Sequence, residues 1–181
     1  SATVAATLLL ITGAVMAASD HGHHHEHRQP YAGMDQRQIS GLSADEIDDL
    51  RQGRGMRLAL PAELNGYPGP MHTLELRGQL GLSDSQHART EQLFRQMLDE
   101  AKALGEQVIE AERRLHRQFA DGAATAESMR EAALQSAELR GELRAVHLRY
   151  HLLMMGVLSD EQVQRYAELR GYTGHRHQGR H

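Results

Sequence analysis

Cysteine is absent from all 181 residues. Disulfides and thiolate metal sites are thereby excluded, and a metal site in this chain must use His, Met and carboxylate. Tryptophan is absent too, only two Phe occur, and aromatics make up 4% of the chain. That rules out a large core of bulky side chains and favours thin helix-on-helix packing with Leu, Ala and Met. Lys102 is the only lysine. The formal net charge of −4, with a pI near 6.3, gives no basis for a nucleic-acid partner. Nucleophile elbow, phosphate loop and H-E-x-x-H are all missing. The carboxylates interleave with Arg, as in Glu138, Arg140, Glu142 and Arg144, the pattern of solvated helix faces. A non-enzyme is expected.

What is present is organised around one stretch and its echo. Leu82-Ser83-Asp84-Ser85-Gln86 and Leu158-Ser159-Asp160-Glu161-Gln162 each read as a helix start. Ser takes the N-cap and Gln three residues on reaches back to the N-cap amide, a capping box, while the preceding Leu packs under the first turn, as Leu158 would against Val163. Between the caps runs a helical pattern interrupted at Asp121-Gly122. Leu93, Met97, Ala101, Leu104, Val108, Ala111 and Leu115 form an apolar stripe on a first helix from about Asp84 to Phe119. Such a helix spans roughly 50 Å. Met129, Ala132, Ser136, Leu139, Leu143, Val146, Tyr150 and Leu153 form the stripe of a second, from about Ala126 to Met155, and the second cap opens a last helix through about Arg170. The expected fold is all-α: a long antiparallel helical hairpin with short flanking helices.

The segments around it divide as follows. Residues 1–18 read as a cleaved secretory signal whose start is missing, with Val4–Met16 apolar and small residues at Val15-Met16-Ala17. The run is shorter than the roughly 20 residues of a spanning helix. Residues 19–33 are a His-rich disordered tail. Residues 34–70, holding Pro61, Pro68 and Pro70, are a Pro/Gly-rich arm read as loosely packed on the hairpin or on a partner subunit. In it Ser43-Ala44-Asp45-Glu46 is a further capping box for a short helix ending at Gly53 and Gly55, and Leu60–Leu64 one further turn. Residues 71–172 are the hairpin domain, and the chain closes in a polar tail from Tyr172 with His175, His177 and His181.

Two groups of side chains carry chemistry. In the tail, His21, His23, His24, His25 and His27 place five of the thirteen His within seven residues. Neutral imidazole ligates Zn, Cu and Ni. Cleavage after Ala18 would start the mature chain Ser19-Asp20-His21, a square-planar Cu(II) or Ni(II) site; cleavage after Ala17 fits the small-residue rule better. On the second long helix, His147, His151 and Met155 stand at i, i+4 and i+8, and the two His have the spacing of helical metal sites. The competing reading takes His147 and His151 as half-exposed helix positions beside the stripe, near a C-terminus that favours positive charge. The only cofactor expected is a divalent metal: Zn, Cu, Ni or Co.

The doubled L-S-x-x-Q, with the export signal and the His-rich segment, resembles the Spy/CpxP superfamily of periplasmic proteins, including its ZraP-like and CnrX-like metal-responsive members, over about Met71 to Tyr172. The resemblance implies a periplasmic protein forming an intertwined, cradle-shaped homodimer. It also implies a sensor site from an arm His, a Glu of the first long helix and a late His-x-x-x-Met. Here those positions fall at Thr73 (beside His72), Phe94, Tyr150 and Met154, while His151 and Met155 repeat the last element one residue displaced. One residue on a helix turns a side chain by about 100°. The leading expectation is therefore a periplasmic stress protein that buffers or senses divalent heavy metal, chiefly through its tail. The alternatives are an ATP-independent chaperone for unfolded clients and an inhibitory partner of a membrane-bound envelope-stress signalling protein. A slight excess of Asp and Glu over Lys and Arg from Asp84 to Tyr172 disfavours the chaperone.

Overall fold

The computed structural model describes residues 29–172. Residues 29–32 make a turn, the Ala32 amide donating to the Gln29 carbonyl at 3.0 Å; the chain from Gly33 on is a separate unit. In that unit a 3-10 turn at Met34–Gln36 precedes seven helices: α1 (Ala44–Gln52), α2 (Leu60–Glu63), α3 (Pro70–Glu75), α4 (Arg77–Leu80), α5 (Asp84–Ala120), α6 (Ala126–Met154) and α7 (Asp160–Leu169). The described residues are all-α, and α5 and α6 pack along each other as a hairpin. No helix among them is long and apolar enough to cross a membrane.

The helix starts are built by the residues that predicted them. Ser43, Ser83 and Ser159 each accept from the N3 amide, and Glu46, Gln86 and Gln162 each reach back to the N-cap amide. Thr125 and Ser128 form a fourth such box at the head of α6. The two L-S-x-x-Q motifs are more than separate caps, because their glutamines bond each other. Gln86 Nε2 donates to Gln162 Oε1 at 2.7 Å, and Gln162 Nε2 to Gln86 Oε1 at 3.1 Å. The same nitrogens also donate to Val157 O at 2.9 Å and to Leu80 O at 3.2 Å, carbonyls just ahead of the opposite cap. The echo in the sequence is thus a reciprocal clamp that closes the open end of the hairpin. Ser83→Ala, which removes one cap oxygen, should lower stability by about 1 kcal/mol; equilibrium urea unfolding measures it.

Two apolar clusters fill the interior. Leu93 and Met97 of α5 meet Val146, Tyr150 and Met154 of α6 with Leu158 and Val163, the staple pair expected around the second cap. Further along, Ala101, Val108 and Ile109 of α5 and Leu143 of α6 pack with Ile39, Leu42 and Leu50. Those last three belong to the arm and are 1–2% exposed. The arm is therefore a tightly packed part of the core, not a loose attachment: the hairpin stripes are wider than two helices can cover, and the arm supplies the third side. Its closest approach is at Gly105, where a Cβ would stand 2.2 Å from the Leu50 carbonyl oxygen. Beyond α1 the chain turns through Met56 and Arg57, both at positive φ, a strained pair accepted because Met56 packs on the core.

The stripe of α6 differs from expectation. Met129 and Leu153 are exposed, while His147, His151 and Met154 are buried. The arm covers α6 on the side where the His lie, and that shifts the buried face off the Leu-based stripe.

Candidate functional site

Both imidazoles of α6 lie inside the protein. His147 is 3% and His151 7% exposed, so the reading of half-exposed positions beside the stripe is corrected: α2 and α3 pack over this part of α6. His151 Nδ1 donates to the Tyr67 carbonyl at 2.6 Å. A carbonyl only accepts, so the proton is on Nδ1, and the lone pair of the neutral ring is on Nε2. His147 Nε2 is buried with no hydrogen-bond partner. Burial, and secondarily the neighbouring His151, pushes the His147 imidazole below its ordinary value. The unfolded chain therefore takes up this proton first, at about pH 6.5. Stability from this group is full above about pH 6.5 and falls with pH from there down to the folded-state value. His147→Leu should flatten that acid limb, and thermal melts between pH 7 and 5 read it directly.

A third polar group joins them from the arm. Glu63, the last residue of α2, is 7% exposed. Its Oε1 accepts from Tyr166 OH at 2.6 Å and Tyr172 OH at 3.0 Å, and lies in an ion pair 3.3 Å from Arg170 Nε, which itself donates to Tyr172 OH. Its Oε2 is buried without a hydrogen-bond partner and lies 3.8 Å from His151 Nδ1. The Gly69 amide donates to Tyr166 OH at 3.4 Å, and Thr73 Oγ1 to the Gly69 carbonyl at 2.8 Å. Burial first, and then the hydrogen bond to Glu63, drives the Tyr166 phenol well above the usual tyrosine range. Burial raises Tyr172 as well. Tyr172 is thus an anchor of the fold and not the start of a polar tail. The Arg170 guanidinium sits over its ring, 5.8 Å from the centroid. One carboxylate so ties the arm, α6 and α7 into a buried polar knot.

Of the other residues singled out in the sequence, Thr73 borders this knot through Gly69, and the rest lie apart from it or outside the described residues. Met155, the C-cap of α6, packs against the cluster of Leu158 and Val163. His72 pairs with Glu75 of its own helix at 2.8 Å. Thr73 is fully buried, and Phe94 packs in the cluster around Leu93. His21, His23, His24, His25 and His27 fall outside the described residues, as do His175, His177 and His181. Among the described residues, no group of three or more His, Asp or Glu is already arranged to hold a metal ion. Glu63, Tyr166, Arg170 and Tyr172 were missed from the sequence; the only trace was an acid in the Leu-Pro-Ala-Glu-Leu turn, where solvent exposure was the natural reading. No family model, no curated protein and no solved structure matches the chain.

Proposed function

We propose that the chain is a periplasmic stress protein of the Spy/CpxP kind that buffers or senses a divalent heavy metal without catalysis, its tail capturing the ion. The observation that carries this reading is the tail itself, with His21, His23, His24, His25 and His27 inside seven residues. Several neutral imidazoles on a short polar segment can wrap Zn, Cu or Ni without a preformed cage. The paired L-S-x-x-Q caps and the apolar run of residues 4–16 support export and the family reading. By the same resemblance the protein works as an intertwined homodimer.

Titration of the full chain with Zn(II), Cu(II) and Ni(II) by calorimetry, beside a variant with those five His replaced by Ala, tests it. Most of the bound metal should be lost while helicity and dimerisation stay unchanged. Unchanged stoichiometry would sink the tail as the main binder. A chaperone is the second reading, favoured by one specific observation: Phe119, Leu134, Leu152 and Leu153 on the long helices are exposed, an apolar offering to unfolded clients. It requires suppression of client aggregation by the metal-free protein.

A further inference from the structure

We propose that the buried knot holds a second, internal metal site: Glu63 Oε2 and His151 Nε2 seat one divalent transition-metal ion, with His147 Nε2 as third donor, and the ion clamps the arm to α6. The inference rests on the metal-binding reading but concerns donors distant in sequence from the tail.

Three independent features point to it. Glu63 Oε2 and His147 Nε2 are the two buried side-chain polar atoms left without a hydrogen-bond partner among the described residues. A buried acceptor without a donor is a cost that folding rarely leaves standing, and a cation relieves it. The second feature is the set of bonds made by the other atoms of the same groups. His151 donates Nδ1–H to the Tyr67 carbonyl at 2.6 Å, which orients the ring and leaves Nε2 as the ligating atom. Glu63 has its Oε1 held by Tyr166, Tyr172 and Arg170, which orients the carboxylate and leaves Oε2. Such outer bonds are what fix metal ligands. The third is Gly69. A Cβ there would lie 2.8 Å from His151 Cε1, 3.0 Å from His151 Nε2 and 3.6 Å from Glu63 Oε2. Both donor atoms therefore lie beside the same glycine, and any larger residue there would crowd them.

His147, one turn before His151 on α6, offers its unpartnered Nε2 as the third donor. The imidazole and carboxylate donors select Zn(II), Co(II) or Ni(II) over Mg(II) or Ca(II). Arg170 on Oε1 opposes the added charge, but its side chain is 30% exposed and part of that opposition is screened by solvent. Because Glu63 belongs to α2 and His151 to α6, occupancy would be reported as a tightening of the arm.

The test uses the full chain with His21, His23, His24, His25, His27, His175, His177 and His181 all replaced by Ala. Zn(II) calorimetry should find one remaining equivalent, Co(II) should give the visible absorption of a nitrogen and oxygen site, and Zn(II) should slow amide exchange over residues 60–72. Adding Glu63→Gln, which keeps an Oε1 acceptor for the tyrosines, should weaken Zn(II) at least tenfold and abolish the exchange effect. Gly69→Ala keeps every donor and should do the same; it decides the matter should Glu63→Gln lose helicity. No Zn(II) binding in the tail-substituted chain would overturn the internal site and leave the tail reading intact. Residual binding that both variants retain at unchanged affinity would overturn it as well. Full original stoichiometry in the tail-substituted chain, lost with Glu63→Gln, would instead overturn the tail.

Discussion

Gly105→Ala should destabilise the protein by about 2 kcal/mol, although it replaces a mid-helix glycine with the best helix former. Propensity alone predicts a gain of up to about 1 kcal/mol. Packing opposes it. The new Cβ would lie 2.2 Å from the Leu50 carbonyl oxygen and 2.8 Å from its carbon, atoms of the backbone at the end of α1 that cannot swing aside as a side-chain tip would. Either α1 lifts off α5 or α5 bends, and Leu50, Ile39 and Leu42 lose part of their contact with Ala101, Val108 and Ile109. Overpacking typically costs about 1–3 kcal/mol; a clash with fixed backbone falls at the upper end of that range, and the propensity gain offsets part of it. Chemical denaturation at neutral pH measures it. Gly141 is the control, since it is exposed on α6 with nothing near its Cβ position; Gly141→Ala should stabilise by about 0.5–1 kcal/mol. Equal effects at the two sites would refute the close contact of arm and hairpin.

Glu63→Ala should cost a similar amount, about 2–3 kcal/mol, for an electrostatic reason. It strips Tyr166 OH of its 2.6 Å acceptor and leaves Tyr172 OH and Arg170 facing an apolar gap. Removing the acceptor leaves the buried Tyr166 hydroxyl to its full desolvation cost, while Arg170, 30% exposed, recovers part of its hydration. The same knot sets the alkaline limb of stability. The folded-state phenol of Tyr166 is raised, so the folded protein holds this proton after the unfolded chain has begun to release it at about pH 10. The contribution is full below pH 10 and declines as pH rises above it. Tyr166→Phe should be less stable than the parent at pH 7, and the gap should narrow between pH 10 and 11. Thermal unfolding across that interval checks it; a gap that stays constant would mean Tyr166 is not held protonated by the knot.

Most of the helical architecture was legible from the chain. Ser83, Ser159 and Ser43 mark helix starts because a cap is a local device, settled by residues within one turn of each other. The run from Leu93 to Ala111 marks the buried face of α5 because its apolar residues recur at helical spacing, whichever element covers them. The face of α6 was harder to read. Once the arm covers its other side, His147 and His151 are as buried as Val146, and Leu153 is left outside. Nothing in the local pattern announces that cover, since it depends on where residues 34–80 return to the hairpin.

The sequence by itself therefore determined the all-α class, the serine caps, and the breaks at Gly53 and Asp121-Gly122. Only the tertiary structure decided that Gln86 and Gln162 bond each other, that the arm belongs to the core, and that Glu63 meets His151 and Tyr166. Capping and periodicity act between residues a few positions apart. The polar knot joins residues about a hundred positions apart, and a buried carboxylate looks the same in the sequence as one in water.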